Sequence, residues 1–321
     1  MFDMFSIWKG FWTAGGSQGQ MPLTEKESGH NVVYPFPLKR IALDDLDIGY
    51  VDVGDPTRDA VLFIHGMGSG VPVWRKNISE IKKNYRCIAL DLPGHGYSTK
   101  KDFPFTMEFY VDVVISFMER LGLSSVRLVG HSMGGQIAFL ASLKKPALVK
   151  SVVLVSPAGF EPYTEFERQM LIVATTGIVA SGNAFTHHRI NQMVGFCNNQ
   201  REAGEFASRL AFYKDDALNF GKMMLKSVKA MLLESIDDIL EQLSQPCLVI
   251  VGKEDRVSPY QLLHGQSYAK TIRLRSSMVP KSQFTLFSNC GHFVQYQRPK
   301  LFNTELLSFL TKQDTNVSQN G

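Results

Sequence analysis

A serine flanked by glycines lies between a predicted strand and a predicted helix, and this stretch constrains the fold more than any other. The apolar run Val126–Val129 predicts a strand, and residues 135–143 predict a helix with one apolar face. The turn between them, residues 130–134, has the sequence GHSMG, so glycine stands two positions to either side of Ser132. A sharp turn between strand and helix forces strained backbone angles on its central residue and requires small neighbours. The pattern therefore predicts that Ser132 is lifted clear of a sheet as a nucleophile.

Composition places the chain among ordinary globular enzymes and argues against other classes. Its 321 residues are 44% hydrophobic and 20% charged, and a chain of this length buries a large core. The net charge of +4 comes from scattered Lys and Arg residues, without the dense basic stripe that nucleic-acid binding requires. None of the four cysteines forms a Cys-x-x-Cys pair, and Cys87 and Cys247 lie in apolar runs. We therefore expect buried free thiols, a cytoplasmic location and no nucleic-acid partner.

The first 31 residues form a predicted arm and linker outside the folded core. Residues 1–12 are apolar and rich in Phe and Trp, without the basic leader and continuous apolar core of a signal peptide. Residues 14–31 are rich in Gly, Ser and Gln, which is typical of a linker. Docking of the arm on the protein's own surface and a peripheral contact with a membrane or a partner protein fit this composition equally well. No stretch reaches the roughly 18 apolar residues that a membrane-spanning helix requires.

Strands alternate with helices over two parts of the chain, residues 32–158 and 244–312. This alternation predicts an α/β fold with a mainly parallel, doubly wound sheet. The predicted strands are Leu38–Ala42, Ile48–Val53, Val61–Ile64, Tyr85–Leu90, Val126–Val129, Val149–Val155, Cys247–Val251 and Gln283–Phe287. A closing helix is predicted over Pro299–Leu310, and residues 313–321 are predicted to be a disordered tail.

The alternation stops over residues 159–243, where only helices are predicted. Those helices are Glu165–Ala180, Phe185–Phe196, Ala203–Phe212, Ala217–Leu233 and Ile236–Leu243. Ligands of open α/β sheets bind beyond the carboxyl ends of the strands, and this insertion leaves the sheet at such an end. We therefore predict that residues 159–243 form a helical lid, rich in methionine, over the nucleophile.

Ser132 needs a general base, because a serine hydroxyl alone is a weak nucleophile. The last predicted strand is followed by Asn289–Phe293, a loop that contains His292 and leads to the closing helix. His95 lies between two glycines, where shaping a turn is the simpler role, and His131 is too close to the serine for its ring to reach back. We therefore predict that His292 is the base.

The acid that orients the base should follow a strand between nucleophile and base in the chain. The strand Cys247–Val251 meets this condition, and its exit loop contains Glu254 and Asp255. The strand over residues 149–155 is followed directly by Ser156 and a proline instead of an acid. We predict Asp255 as the acid, with Glu254 as the alternative.

Backbone N–H groups are the predicted donors to the oxyanion. One is that of Met133, directly after the nucleophile, and the other is that of Met67 in the glycine-rich loop after the strand Val61–Ile64. This loop lacks the Lys-Ser/Thr of a phosphate-binding loop, and His187-His188 lacks the spacing of metal ligands. We therefore expect no cofactor and no metal. Asp91 also ends a strand, but it precedes the nucleophile and is predicted to brace its own loop.

Taken together, these motifs resemble those of the α/β-hydrolase family, in family order, from about residue 38 to residue 310. The matching segments are His65-Gly66, residues 91–98 (DLPGHGYS), residues 130–135 (GHSMGG), Gly252–Asp255 and Gly291-His292. The resemblance implies Ser132 as nucleophile, Asp255 as acid and His292 as base. The chain is similar to the branch that holds bacterial esterases, meta-cleavage carbon–carbon hydrolases and haloperoxidase-like members. Members with an aspartate nucleophile do not fit, because position 132 is serine.

One further resemblance and one departure bear on the reaction. The run His292–Tyr296 resembles the aromatic-Gln run that follows the base in carbon–carbon hydrolases. Those enzymes, however, carry Gly-Pro-Gly where this chain has Gly68–Gly70 (GSG), which favours an ester. We therefore predict hydrolysis of a carboxylic ester with an apolar acyl or alcohol part, through an acyl-enzyme. The alternatives are hydrolysis of a vinylogous diketone, with Arg189 or Arg201 as anchor for an acidic substrate, and a non-catalytic ligand receptor on the same fold.

Overall fold

The computed structural model describes residues 34, 36–180, 217–258 and 260–319. It contains eight strands: β1 Leu38–Leu43, β2 Leu46–Val53, β3 Ala60–Ile64, β4 Arg86–Leu90, β5 Val126–His131, β6 Val149–Val155, β7 Cys247–Gly252 and β8 Ser282–Phe287. Its α-helices are α1 Arg75–Ile81, α2 Met107–Arg120, α3 Met133–Lys144, α4 Glu165–Ala180, α5 Ala217–Leu233, α6 Tyr260–His264, α7 Tyr268–Ser276, α8 Val294–Gln297 and α9 Pro299–Gln319. Short 3-10 turns occur at Val71–Trp74, Pro146–Leu148 and Leu240–Gln242.

The eight strands form one sheet in the order β1-β2-β4-β3-β5-β6-β7-β8. Strand β2 is antiparallel to both of its neighbours, and every pairing from β4 through β3 to β8 is parallel. Every residue of β3, β5 and β7 is buried, as expected for parallel strands covered on both faces. The predicted mainly parallel α/β sheet is confirmed.

Helices cover both faces of this sheet because later strands are added on both sides of β3. The step from β3 to β4 runs toward one edge and the step from β5 to β6 toward the other. Right-handed crossovers therefore place α1 and α3 on opposite faces. The packing agrees: α1 contacts α9, whereas α3 contacts α2. All parallel strands end at one edge, where the loops after β3, β5, β6, β7 and β8 meet.

The segment between β6 and β7 re-enters the sheet at the amino end of β7, which is parallel to β6, but it leaves the sheet at this carboxyl edge. Helices α4 and α5 pack against each other there, with the bounds that the sequence predicts. The predicted helices Phe185–Phe196 and Ala203–Phe212, together with Arg189 and Arg201, lie outside the described residues, as does the arm over residues 1–31. The lid remains a proposal. In the part of the chain that the structure describes, no helix has the length and apolar character needed to span a membrane.

The predicted helix over Ile236–Leu243 is wrong. The structure has a single 3-10 turn there, Leu240–Gln242. The Ser235 hydroxyl donates to the Gly159 carbonyl at 2.9 Å, and the Ile236 N–H donates to the same oxygen at 3.0 Å. These two bonds tie the end of the insertion to its beginning.

The closing helix continues to Gln319, where a disordered tail was predicted from residue 313. The reason is a fully buried guanidinium, that of Arg127 in β5, which must be paired with anions. Asp59 accepts from it at 2.7 Å, and Asp314 of the extended helix is its second carboxylate partner. Lys150 reaches both carboxylates, at 3.0 and 3.1 Å. This ion-pair cluster fixes the C-terminal helix against the sheet.

Candidate active site

The turn at Ser132 has the strained geometry that the glycines predict. Ser132 has φ 54° and ψ −121°, a left-handed conformation that side chains rarely adopt. A Cβ on Gly130 would lie 2.2 Å from the Gly134 carbonyl oxygen, and a Cβ on Gly134 would lie 2.4 Å from that of Ile64. Larger residues would therefore push the turn away from the sheet. The Ser132 N–H donates to the Val155 carbonyl at 2.9 Å and holds the turn over neighbouring β6.

Asp255 and His292 meet across the exits of β7 and β8. The Nδ1 of His292 lies 2.9 Å from Oδ2 of Asp255, whose side chain is fully buried. The Val257 N–H donates to the other carboxylate oxygen at 3.1 Å. Glu254, the alternative acid, accepts instead from the Cys290 N–H at 3.0 Å. An Nδ1–H donated to Asp255 leaves the Nε2 of His292 free to accept a proton.

Ser132 and His292 line the same cavity of about 150 Å³. Its apolar lining includes Met67, Met224, Met231, Val257 and Phe293, and its polar lining includes Ser156, Glu161, Ser258 and Tyr268. No hydrogen bond joins Ser132 Oγ to another side chain among the described residues. Across the same ranges, no group of three or more His, Cys, Asp or Glu side chains is arranged to hold a metal ion. The cavity thus combines a serine and a carboxylate-bound imidazole.

The two predicted oxyanion donors lie on either side of Ser132. Met133 is the first residue of α3, whose N-terminal N–H groups have no partner within the helix. Met67 follows Gly66, where a Cβ would come within 2.9 Å of the Ser132 Cβ, so its loop passes directly over the serine. Neither the Met67 nor the Met133 N–H donates to an acceptor in the described part of the chain. Both remain available to a bound oxygen.

Buried side chains hold the loop that carries Met67. The Gly68 N–H donates to Nε2 of His95 at 3.1 Å, and the Leu92 N–H donates to Nε2 of His65 at 2.9 Å. Burial lowers the pKa of His65 to about 4 and that of His95 to about 3, which keeps both rings neutral and able to accept. Asp91 accepts from loop N–H groups at 2.8 and 2.9 Å. Asp91 thus braces its own loop through the Tyr97 N–H, as the sequence predicts, and Asp91 and His95 also hold the loop that carries Met67.

The sequence predicts no function for two residues of the site, His131 and Glu161. His131 places its Nε2 3.0 Å from the His292 carbonyl, and the two rings lie 4.7 Å apart. Burial holds the pKa of His131 well below its usual value, so the neutral ring positions the loop of the base. Glu161, beyond the exit of β6, is 7% exposed and lines the cavity. No local motif marks either residue, because both act through loops distant in the chain.

Comparison with known proteins agrees with this geometry. A family model described as alpha/beta hydrolase fold matches residues 59–299, more than half of the chain. The chain is 27% identical over 291 residues to the uncharacterized hydrolase YugF of Bacillus subtilis, covering 85% of this chain and 98% of that protein. It is 27% identical over 266 residues to 2-hydroxymuconate semialdehyde hydrolase of Pseudomonas sp., covering 79% and 87%.

A solved structure of a thermophilic esterase from Thermogutta terrifontis has the same fold. The two superpose with a TM-score of 0.71 at 21% identity, covering 86% of this chain and 99% of the esterase. The chain belongs to the α/β-hydrolase family and is a hydrolase of that fold.

Proposed function

We propose that this hydrolase cleaves a carboxylic ester through an acyl-enzyme, with Ser132, His292 and Asp255 as its triad. The observation that carries the proposal is the 2.9 Å contact between His292 and Asp255 in the cavity that Ser132 lines. The serine is the nucleophile, the imidazole is the base, and the buried carboxylate holds the imidazole in the correct tautomer.

We assign a protein group to each step of the reaction. His292 Nε2 takes the Ser132 proton as Oγ attacks the ester carbonyl, a contact that typically tightens only when substrate binds. The N–H groups of Met67 and Met133 bind the oxyanion of the tetrahedral intermediate. His292 then protonates the leaving alcohol. Water repeats the cycle on the acyl-enzyme and releases the acid.

Hydrolysis of a carbon–carbon bond is the second candidate, and the similarity to 2-hydroxymuconate semialdehyde hydrolase favours it. Two observations favour the ester. The described lining of the cavity contains no Lys or Arg that would pair with an acidic substrate. Gln295 and Tyr296 of the aromatic-Gln run do not line the described cavity: the Tyr296 hydroxyl accepts from Arg75 at 2.8 Å, and the Gln295 carbonyl accepts from Asn77 at 2.9 Å.

The methionines of the cavity predict a preference for longer acyl chains. Each methylene buried against them contributes roughly 0.8 kcal/mol, so kcat/KM should rise by up to about fourfold per CH₂. We would measure kcat/KM for p-nitrophenyl acetate, butyrate and hexanoate, together with one ring-cleavage dienoate. Replacement of Met224 by alanine should flatten the ester series, because it removes part of the apolar lining.

The matched control is Met278→Ala, which truncates a methionine packed on the core outside the cavity and should keep the slope of the series. A flat series in the wild type would show that the cavity does not hold the acyl chain. Turnover of the dienoate above that of the best ester would establish the second candidate instead.

A further inference from the structure

Glu161 is a buried acid in the wall of the cavity, and the mechanism above gives it no task. It follows β6 and is only 7% exposed, although Glu side chains are rarely buried unless they are paired. Its carbonyl accepts the Tyr163 N–H at 2.9 Å, which fixes the backbone at this point. Its carboxyl lies beside the hydroxyl of Ser258, a second polar residue of the cavity lining.

Ser156 adds a hydroxyl to the same lining. Its side chain is fully buried, and its Oγ has no hydrogen-bond partner among the described residues. The residue adopts a left-handed conformation with φ 42°, and its N–H donates to the Ile250 carbonyl at 2.8 Å. A buried hydroxyl without a partner is destabilising, and a ligand hydroxyl bound in the cavity would offer Ser156 the missing bond.

The charge state of Glu161 decides which ligand group fits. Burial raises the pKa of its carboxyl, and the nearby Asp255 carboxylate raises it further, while Ser258 and His292 offset part of the rise. The protonated acid both donates and accepts, as a hydroxyl does. An ionised carboxylate would instead select an ammonium group. A substrate carboxylate would lie near the Glu161 carboxyl without a cation to pair with, because the described lining of the cavity contains no Lys or Arg.

We infer that Ser156 and Glu161, whose carboxyl is held by Ser258, form a polar subsite that binds a hydroxyl group carried by the ester substrate. The inference rests on the proposed ester hydrolysis and makes Glu161 a specificity-determining residue. A hydroxyl bound there donates to one of these oxygens and accepts from another, so that Ser156 gains its missing partner. The substrate would then have an apolar part against the methionines and a hydroxyl-bearing part against this subsite.

The test compares matched esters with and without a hydroxyl. One pair differs in the alcohol, 2,3-dihydroxypropyl butyrate against propyl butyrate, and the other in the acyl group, ethyl 3-hydroxybutyrate against ethyl butyrate. For one of the pairs, the wild type should prefer the hydroxylated ester by about tenfold in kcat/KM, as expected for one or two neutral hydrogen bonds. A ratio within one enzyme cancels any general loss of activity.

The variants assign the preference to residues. Glu161→Leu should reduce the ratio to about one, Ser156→Ala should reduce it in part, and Glu161→Gln should keep most of it because an amide also donates and accepts. Glu241→Leu, the same kind of change at an exposed position outside the cavity, should keep the wild-type ratio. Should Glu161→Leu fail to fold, the Ser156→Ala ratio decides.

Several outcomes would overturn the subsite. They are a wild-type ratio near one for both pairs, an unchanged ratio in Glu161→Leu and Ser156→Ala, or a preference for butyrylcholine or monoethyl succinate over the hydroxylated esters. In each of these cases simple esters are still hydrolysed, and the proposed function stands. Failure of the wild type to hydrolyse any ester would instead reject the proposed function.

Discussion

Replacement of Ser132 by alanine should abolish ester hydrolysis and leave the fold intact. Loss of a triad serine typically costs about 10⁴ to 10⁶ in rate, because attack on the carbonyl then depends on water alone. The fold should survive because the Ser132 hydroxyl makes no hydrogen bond among the described residues, and alanine fits wherever serine does. The measurements are kcat/KM with p-nitrophenyl butyrate and the thermal midpoint of unfolding.

The matched control for this substitution is Ser277→Ala. Ser277 is exposed, and its hydroxyl donates only to the Leu274 carbonyl at 2.7 Å, far in sequence and structure from the turn at Ser132. This variant should keep wild-type kcat/KM. Activity of Ser132→Ala within tenfold of the wild type would remove Ser132 as the nucleophile.

Replacement of Asp255 by asparagine should keep substrate binding and reduce kcat by about 10⁴. In the wild type, the Nδ1 of His292 donates to the fully buried Asp255 carboxylate at 2.9 Å. An asparagine amide that donates to Nδ1 would hold the ring in the wrong tautomer, with the proton on the nitrogen that must receive it. KM should change little, because Asp255 acts through His292.

Glu254→Gln is the control for Asp255→Asn, since it makes the same chemical change one residue earlier. Glu254 accepts from the Cys290 N–H, and a glutamine amide oxygen can accept the same bond. We expect kcat within a few-fold of the wild type. If Glu254→Gln proved more damaging than Asp255→Asn, the assignment of the acid would be wrong.

The sequence predicts those parts of the molecule whose structure is determined by residues close together in the chain. The turn at Ser132 is predictable because its two glycines and its flanking strand and helix are contiguous. The start of α2 has an equally local cause, since the Thr106 hydroxyl caps it by accepting from the Phe109 N–H at 3.0 Å. The exit loops of β7 and β8 could be assigned because parallel strands end at a common edge.

Features that depend on contacts between residues far apart in the chain were not predictable. The extension of α9 follows from the burial of Arg127, a charge that lies in another element. Glu161 reaches the cavity because the loop after β6 folds back, and nothing in its neighbouring residues indicates this. Helices α6 and α7 were missed because α6 is only five residues long and α7 carries several charges.

The acyl-enzyme is the central claim, and direct identification of the acylated residue tests it best. Asp255→Asn should slow deacylation, so that a p-nitrophenyl butyrate reaction quenched in acid retains the intermediate. Peptide mapping by mass spectrometry should then find one butyryl group, on the peptide that contains Ser132, and no such group in the double variant that also carries Ser132→Ala. A butyryl group on another residue, or a full burst of p-nitrophenol with an unmodified Ser132 peptide, would contradict the proposed mechanism.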